Sequence, residues 1–178
     1  MSIKPYRGRF AERPWCEGFT LVELIVTMSL AAIVLAIAVP NFQALIRSYR
    51  LTSTANEFVA FFNLTRSEAI RRGSSVSLCK TANGTACTTT GGWEAGWIVF
   101  SDPNANGAID AGEQIIKVHE NLGPQSTFSS SSGTAGSLIT FSGSGFVTQS
   151  GTLALCNGGA CFNLIITKPG RIQSERVP

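Results

Sequence analysis

An apolar run from Phe19 to Val39 limits what this chain can fold into more than any other feature. Its 21 residues hold one charge, Glu23, with Thr20, Thr27 and Ser29 as mild polar exceptions. As a helix rising 1.5 Å per residue, such a run spans about 31 Å, against roughly 30 Å of hydrocarbon in a bilayer. Residues 1–18 before it carry Lys4, Arg7, Arg9 and Arg13 against Glu12 and Glu17, a net +2. Basic flanks stay in the cytoplasm, so the pattern predicts one membrane pass with the chain after Val39 on the far side. Pro40 removes a helix hydrogen bond, a defect tolerated in a membrane helix that has neighbours. An acid within such a segment is costly and asks for a partner.

The helical pattern continues past Pro40. Phe42, Leu45, Ile46 and Tyr49 recur at helical spacing, and Ala55, Phe58, Val59, Phe62, Ala69 and Ile70 carry a stripe onward. Gln43, Arg47, Asn56, Glu57, Asn63 and Arg66 fill the other side. Arg71 and Arg72 suit the negative end of a helix, and Gly73 suits its C-terminal cap. Over residues 50–72 the stripe needs only the chain's own domain to pack on. The apolar half before it needs lipid or copies of itself.

After Gly73 the texture changes. SVSLC, GWIVF, EQIIKVH, SLITF, GFV, TLALC and CFNLIIT read as strands between clusters of Gly, Ser, Asn and Thr. The expected architecture is α+β, with the long N-terminal helix packed on antiparallel sheet. Pro124 to Ser137, PQSTFSSSSGTAGS, reads as a mobile low-complexity linker. The predicted organisation is a leader at 1–18, a transmembrane half-helix at 19–39, an amphipathic half at 40–73 and a β-rich domain at 74–178. The 160 residues after the leader hold 10 basic and 9 acidic side chains, so no strong global field for nucleic acid exists. Only 14% of residues are charged, while Gly, Ser and Thr abound, a composition that suits an extracytoplasmic domain.

The basic leader, Gly18, Phe-Thr-Leu-Val-Glu-Leu and the apolar helix together resemble a class III prepilin signal. Type IV pilins and type II secretion pseudopilins share this signal. The Gly-Trp-Ile-Val-Phe strand, the Asp/Asn-rich turn, a further strand and Lys-Pro-Gly-Arg resemble the GspH/FimT branch of minor pilins and pseudopilins. The resemblance implies a pilin-like fold and a prepilin peptidase that cuts between Gly18 and Phe19 and methylates the new Phe19 amine. It also implies inner-membrane residence with a periplasmic domain, and assembly with other pilins or pseudopilins in a filament. Glu23 then stands five residues into the mature chain, where a staggered neighbour's ammonium can pair with it. Without assembly, Glu23 still suits the positive start of a helix. FimT relatives bind DNA through a C-terminal Gly-Arg-x-Arg. Here the stretch is Gly170-Arg171-Ile172-Gln173, so the second arginine is missing. Lys168, Arg171 and Arg176 are the candidate DNA contacts, with Glu175 opposing them, and Arg71 and Arg72 are further basic residues. Two classes of function follow: a structural, assembly-priming subunit, and a DNA-capturing module acting in uptake.

Other features bear on alternatives. Ala36-Ile37-Ala38 fits ordinary signal cleavage before Val39, but the leader is long and acid-containing and the apolar run exceeds the usual ~7–15 residues. Cys16 lies in the leader, and Cys79, Cys87, Cys156 and Cys161 face an oxidising compartment. Four cysteines allow three pairings. NGGA between Cys156 and Cys161, and KTANGTA between Cys79 and Cys87, predict two hairpin-closing bridges; neither spacing is the C-x2-C of a zinc site. DPNANGAIDAGE, Asp102 to Glu113, places Asp102, Asn104, Asn106, Asp110 and Glu113 as in a calcium loop, with Gly107 at the bend. The flanks read as strands rather than helices, and Asx-rich turns also form without an ion. His119, the single histidine, has no obvious catalytic partners, and no phosphate loop or nucleophile elbow is visible, so no enzyme and no obligatory cofactor are expected.

Overall fold

Thr20 starts the long helix. Its hydroxyl oxygen accepts a hydrogen bond from the Glu23 backbone N–H at 3.2 Å, as in a Thr-x-x-Glu capping sequence. Helix α1 (Leu21–Arg72) follows. The computed structural model describes residues 18–177, so the leader and Cys16 lie outside the described residues, Gly18 excepted. Contacts divide the chain into two units, Met1–Phe42 and Gln43–Pro178.

In the first unit every described side chain is exposed. The most apolar window of α1 has a mean hydropathy of 2.5 and is wholly unburied. Its polar exceptions turn inward on the helix itself: Thr27, Ser29 and Asn41 donate to the carbonyls of Leu24, Ile25 and Ile37. Apart from the exposed Glu23 carboxylate, the surface left is largely hydrocarbon, and α1 continues through Pro40.

In the second unit α1 buries Leu51, Ala55, Phe58, Phe61, Phe62, Thr65 and Ala69, a face at three- and four-residue spacing. Thr65 is tolerated there because its hydroxyl donates to the Phe61 carbonyl at 2.7 Å. Of the expected stripe, Ala55, Phe58, Phe62 and Ala69 are buried and Val59 is half-buried, whereas Ile70 is exposed. Gly73, at φ +63°, turns the chain out of the helix and donates to the Ile70 carbonyl.

Eight strands follow: β1 (Val76–Lys80), β2 (Trp97–Ser101), β3 (Ile115–His119), β4 (Ser126–Gly133), β5 (Leu138–Phe141), β6 (Gly151–Asn157), β7 (Ala160–Thr167) and β8 (Arg171–Val177). They form two four-stranded antiparallel sheets, ordered β3-β2-β1-β5 and β4-β6-β7-β8. Both β1 and β2 are buried at every residue, so the polar Ser77, Lys80 and Ser101 are buried along with their apolar neighbours. Trp97 and Val99 face the main core with Phe58 and Leu78. Ile98 and Phe100 face a second cluster with Cys79, against which Ile109, Ile115 and Leu138 pack. The Asp102–Glu113 segment thus helps cover the outer face of the first sheet.

Three expectations need correction. The segment read as a mobile linker contains β4, which pairs along β6 from Ser126↔Asn157 to Gly133↔Gly151. Its anchor is Phe128, fully buried and 4.8 Å centroid-to-centroid from Phe58, while Ser129 to Ser132 after it are exposed. GFV is not a strand: Val147 makes a single bridge to Phe141 and Phe146 is exposed. The expected strands end at CFNLIIT, whereas the residues from Arg171 onward form one more strand, β8, against β7.

Candidate functional site

Glu23 lies in the first turn of α1. Its backbone is capped by Thr20, yet its carboxylate makes no hydrogen bond or ion pair among the described residues and is exposed. Thr20 thus caps the backbone, while the Glu23 carboxylate stands in the first turn, where the helix dipole also favours an acid. Gly18 and Phe19, the predicted cleavage pair, precede the helix, and the Phe19 side chain is exposed. Among the described residues no cationic side chain is paired with this carboxylate.

The four cysteines pair as Cys79–Cys87 and Cys156–Cys161. Cys156 and Cys161 are direct partners in the β6–β7 register, with Cα atoms 4.1 Å apart, as the hairpin spacing predicted. Cys87 closes back on β1 beside the Thr81↔Cys87 bridge.

The candidate DNA contacts do not gather. Lys168 and Arg171 stand at the β7–β8 turn. Arg176 is five residues further along β8, about 17 Å at strand rise, and its odd spacing puts it on the opposite face. There its guanidinium donates to the Ser48 hydroxyl at 3.2 Å. Gln173, in place of the relatives' second arginine, shares the face of Arg171. Arg71 and Arg72 both donate to the Glu68 carboxylate, at 2.6 and 2.9 Å, and Arg72 also donates to Gln114 at 3.1 Å. Those two arginine bonds hold the Glu68 carboxyl at about 2, well below its ordinary range. The Arg71 guanidinium is shifted upward by the same bond.

The Asp/Asn-rich loop uses its oxygens on itself. Asp102 is fully buried and accepts from the Ser77 hydroxyl at 2.6 Å and from the backbone N–H groups of Asn106 and Gly107. Thr140 reaches the same Ser77 oxygen at 2.8 Å. The side-chain amides of Asn104 and Asn106 donate to Asp110, which lowers its carboxyl from the ordinary value. Glu113 accepts from the Asp110 backbone N–H at 3.0 Å. Among the described residues no group of three or more His, Cys, Asp or Glu side chains is placed to hold a metal. The buried Ser77–Asp102–Thr140 cluster joins residues distant in sequence, and only the turn-forming Asp-Pro-Asn hinted at part of it.

His119 is placed rather than loose. Its ring stacks on Trp97 at 3.9 Å, and its nitrogens approach the Glu57 carboxylate at 3.1 Å and the Glu120 carbonyl at 2.6 Å. These contacts tie the end of β3 to α1. The periodicity of α1 put Glu57 on its polar side but gave no sign of this partner.

An exposed membrane-length helix segment, a following amphipathic segment packed on two antiparallel sheets, and two hairpin disulfides define a pilin-like subunit. Residues 54–170 match the family described as Type II transport protein GspH, and residues 16–39 match the prokaryotic N-terminal methylation motif, so the chain belongs to the GspH family. The pilin-like protein PilA1 of Thermus thermophilus is 27% identical, covering 89% of this chain and 98% of the relative. The type IV minor pilin FimU of Pseudomonas aeruginosa superposes with a TM-score of 0.57 at 25% identity, over 72% of this chain and 90% of that one. The minor pseudopilin EpsH of the Vibrio cholerae type 2 secretion system shares the fold, with a TM-score of 0.50 at 14% identity over 71% and 97% of the two chains. The chain is a minor pilin or pseudopilin of a type IV pilus or type II secretion system, a structural family whose members work in assemblies with other pilins.

Proposed function

We propose that this chain primes filament assembly from the inner membrane, with its β-rich domain in the periplasm. A prepilin peptidase cuts between Gly18 and Phe19 and methylates the Phe19 amine. The Glu23 carboxylate then takes the terminal ammonium of a neighbouring pilin. The observation that carries this reading is the Glu23 carboxylate, without a partner among the described residues, on an exposed apolar helix. Leaving an acid unpaired at the centre of a membrane helix costs about 2.5–3.5 kcal/mol on insertion scales, and less near the interface. Pairing therefore favours one docking register over others. The scattered positions of Lys168, Arg171 and Arg176 give DNA uptake no comparable support. In cells, Glu23→Ala is expected to be processed and membrane-inserted like wild type but absent from sheared filaments or pseudopili. Wild-type incorporation of Glu23→Ala refutes the proposal.

A further inference from the structure

A cleft of about 510 Å³ opens in the second unit between α1 and the β3–β4 connection, lined by Arg50, Ser53, Thr54, Gln125, Ser126 and Asn157 among others, with no carboxylate in its wall. Asn157, at the end of β6, is only 8% exposed. Its amide nitrogen bonds Ser126 Oγ at 3.1 Å, while its oxygen is buried without a partner. A buried amide with one end unmet is expensive. Turning the amide over keeps the Ser126 bond, now donated by the serine hydroxyl to the oxygen, and frees an N–H to donate elsewhere. Rotated toward the cleft that Asn157 lines, this N–H and the Arg50 guanidinium make a matched pair for an oxyanion.

The charges around the cleft agree. Arg50 is exposed and has no carboxylate within 4.0 Å among the described residues. Arg47 lies against Gly158, next to Asn157: a Cβ on that glycine would stand 3.0 Å from its Cδ. Arg176 reaches the same stretch of α1 through Ser48. The nearby acids are otherwise engaged: Glu57 faces His119, Glu175 is on the opposite face of β8 from Arg176, and the Glu94 carboxylate accepts from the Phe128 backbone N–H and does not line the cleft. This is a local excess of positive charge in a chain that has little elsewhere.

We propose that the cleft binds the phosphodiester of an anionic phospholipid headgroup, in the leaflet from which the β-rich domain emerges. Arg47 and Arg50 follow the last residue of the apolar run, Val39, by only eight and eleven residues, so the chain itself keeps them beside the bilayer. Leu45, Ile46 and Tyr49, interleaved with these arginines, are exposed apolar or aromatic side chains, the residue types that settle at a membrane interface. They offer acyl chains and glycerol a surface that a free phosphate does not use. Duplex DNA presents phosphates in series and is drawn by a broad field, whereas this cleft is single and its field local. The site goes beyond the assembly role, and Glu23→Ala leaves it intact.

The test uses the full chain, isotope-labelled, in zwitterionic micelles, titrated with short-chain phosphatidylglycerol. Short-chain phosphatidylcholine, inorganic phosphate and a DNA duplex are titrated in parallel. The expected result is a saturable shift of the Asn157 side-chain amide and the Thr54 and Gly123 backbone amides with phosphatidylglycerol only. Arg50→Gln, an exposed substitution that keeps the fold, weakens that binding at least tenfold. No saturable shift, equal binding of inorganic phosphate, or stronger shifts of the same amides with DNA each overturn the lipid assignment.

Discussion

Phe128→Ser gives the second unit its sharpest stability test. Phe128 sits in a strand whose other side chains are nearly all serine and threonine, so a linker reading makes the change neutral. In the structure its ring is fully buried, with centroids 4.8 Å from Phe58, 5.9 Å from Trp97 and 6.3 Å from Trp93. Truncating a buried Phe costs about 3–5 kcal/mol through lost transfer energy and the cavity left behind. Edge-to-face aromatic contacts account for part of that loss, and a buried serine hydroxyl adds to it. For a unit of this size, each kcal/mol lowers the melting temperature by roughly 3–5 °C, so the expected drop is about 9–25 °C. The assay is thermal unfolding of the full chain in micelles, followed by tryptophan fluorescence, since Trp93 and Trp97 border the site. Ser130→Ala, an exposed change in the same strand, serves as control and stays within about 0.5 kcal/mol of wild type. If Phe128→Ser melts within about 2 °C of wild type, β4 is not the structural strand described here.

The other expectations are smaller. Removing the Cys156–Cys161 bridge by paired serine substitutions should cost about 2 kcal/mol in denaturant unfolding, the chain-entropy value for so short a loop, and removing Cys79–Cys87 slightly more. The Glu68 carboxyl is lower in the folded chain than unfolded, so its contribution is present above about pH 4.5 and is lost as pH falls toward about 2. Because solvent screens these arginine pairs, that contribution is at most about 1 kcal/mol, and Glu68→Gln should flatten the stability profile in this window. Asp102→Ala, which removes the acceptor of the Ser77 hydroxyl and of two backbone N–H groups, should destabilise by about 2–4 kcal/mol equally in calcium and in chelator. A wild-type melting temperature that calcium raises by several degrees would instead make the loop an ion site.

The parts of this molecule that sequence reveals are those whose signal is local. The apolar run needs no partner in the chain to be read, because its length and hydropathy state its solvent. The two disulfides were legible because each pair brackets its own turn. β4 was not, because its strand character depends on pairing with β6 and on one inward ring, Phe128, among serines. The Asp102–Glu113 spacing reads alike as a calcium loop and as an Asx-closed loop, because the same residue types serve internal hydrogen bonds. Arg50 and Asn157 carry no mutual signal at all, since only the fold brings helix and hairpin together.

The central claim is that the Glu23 carboxylate meets the amino terminus of another subunit. Zero-length carbodiimide cross-linking of isolated filaments couples a carboxylate only to an amine in contact with it. Labelled and unlabelled subunits mixed before assembly separate links between chains from links within one. The account predicts a peptide that joins Glu23 to the methylated terminal residue of a different pilin chain, lost in Glu23→Gln. A mature amino terminus at Val39, or filaments in which Glu23 is coupled to no other chain's terminus, would contradict it.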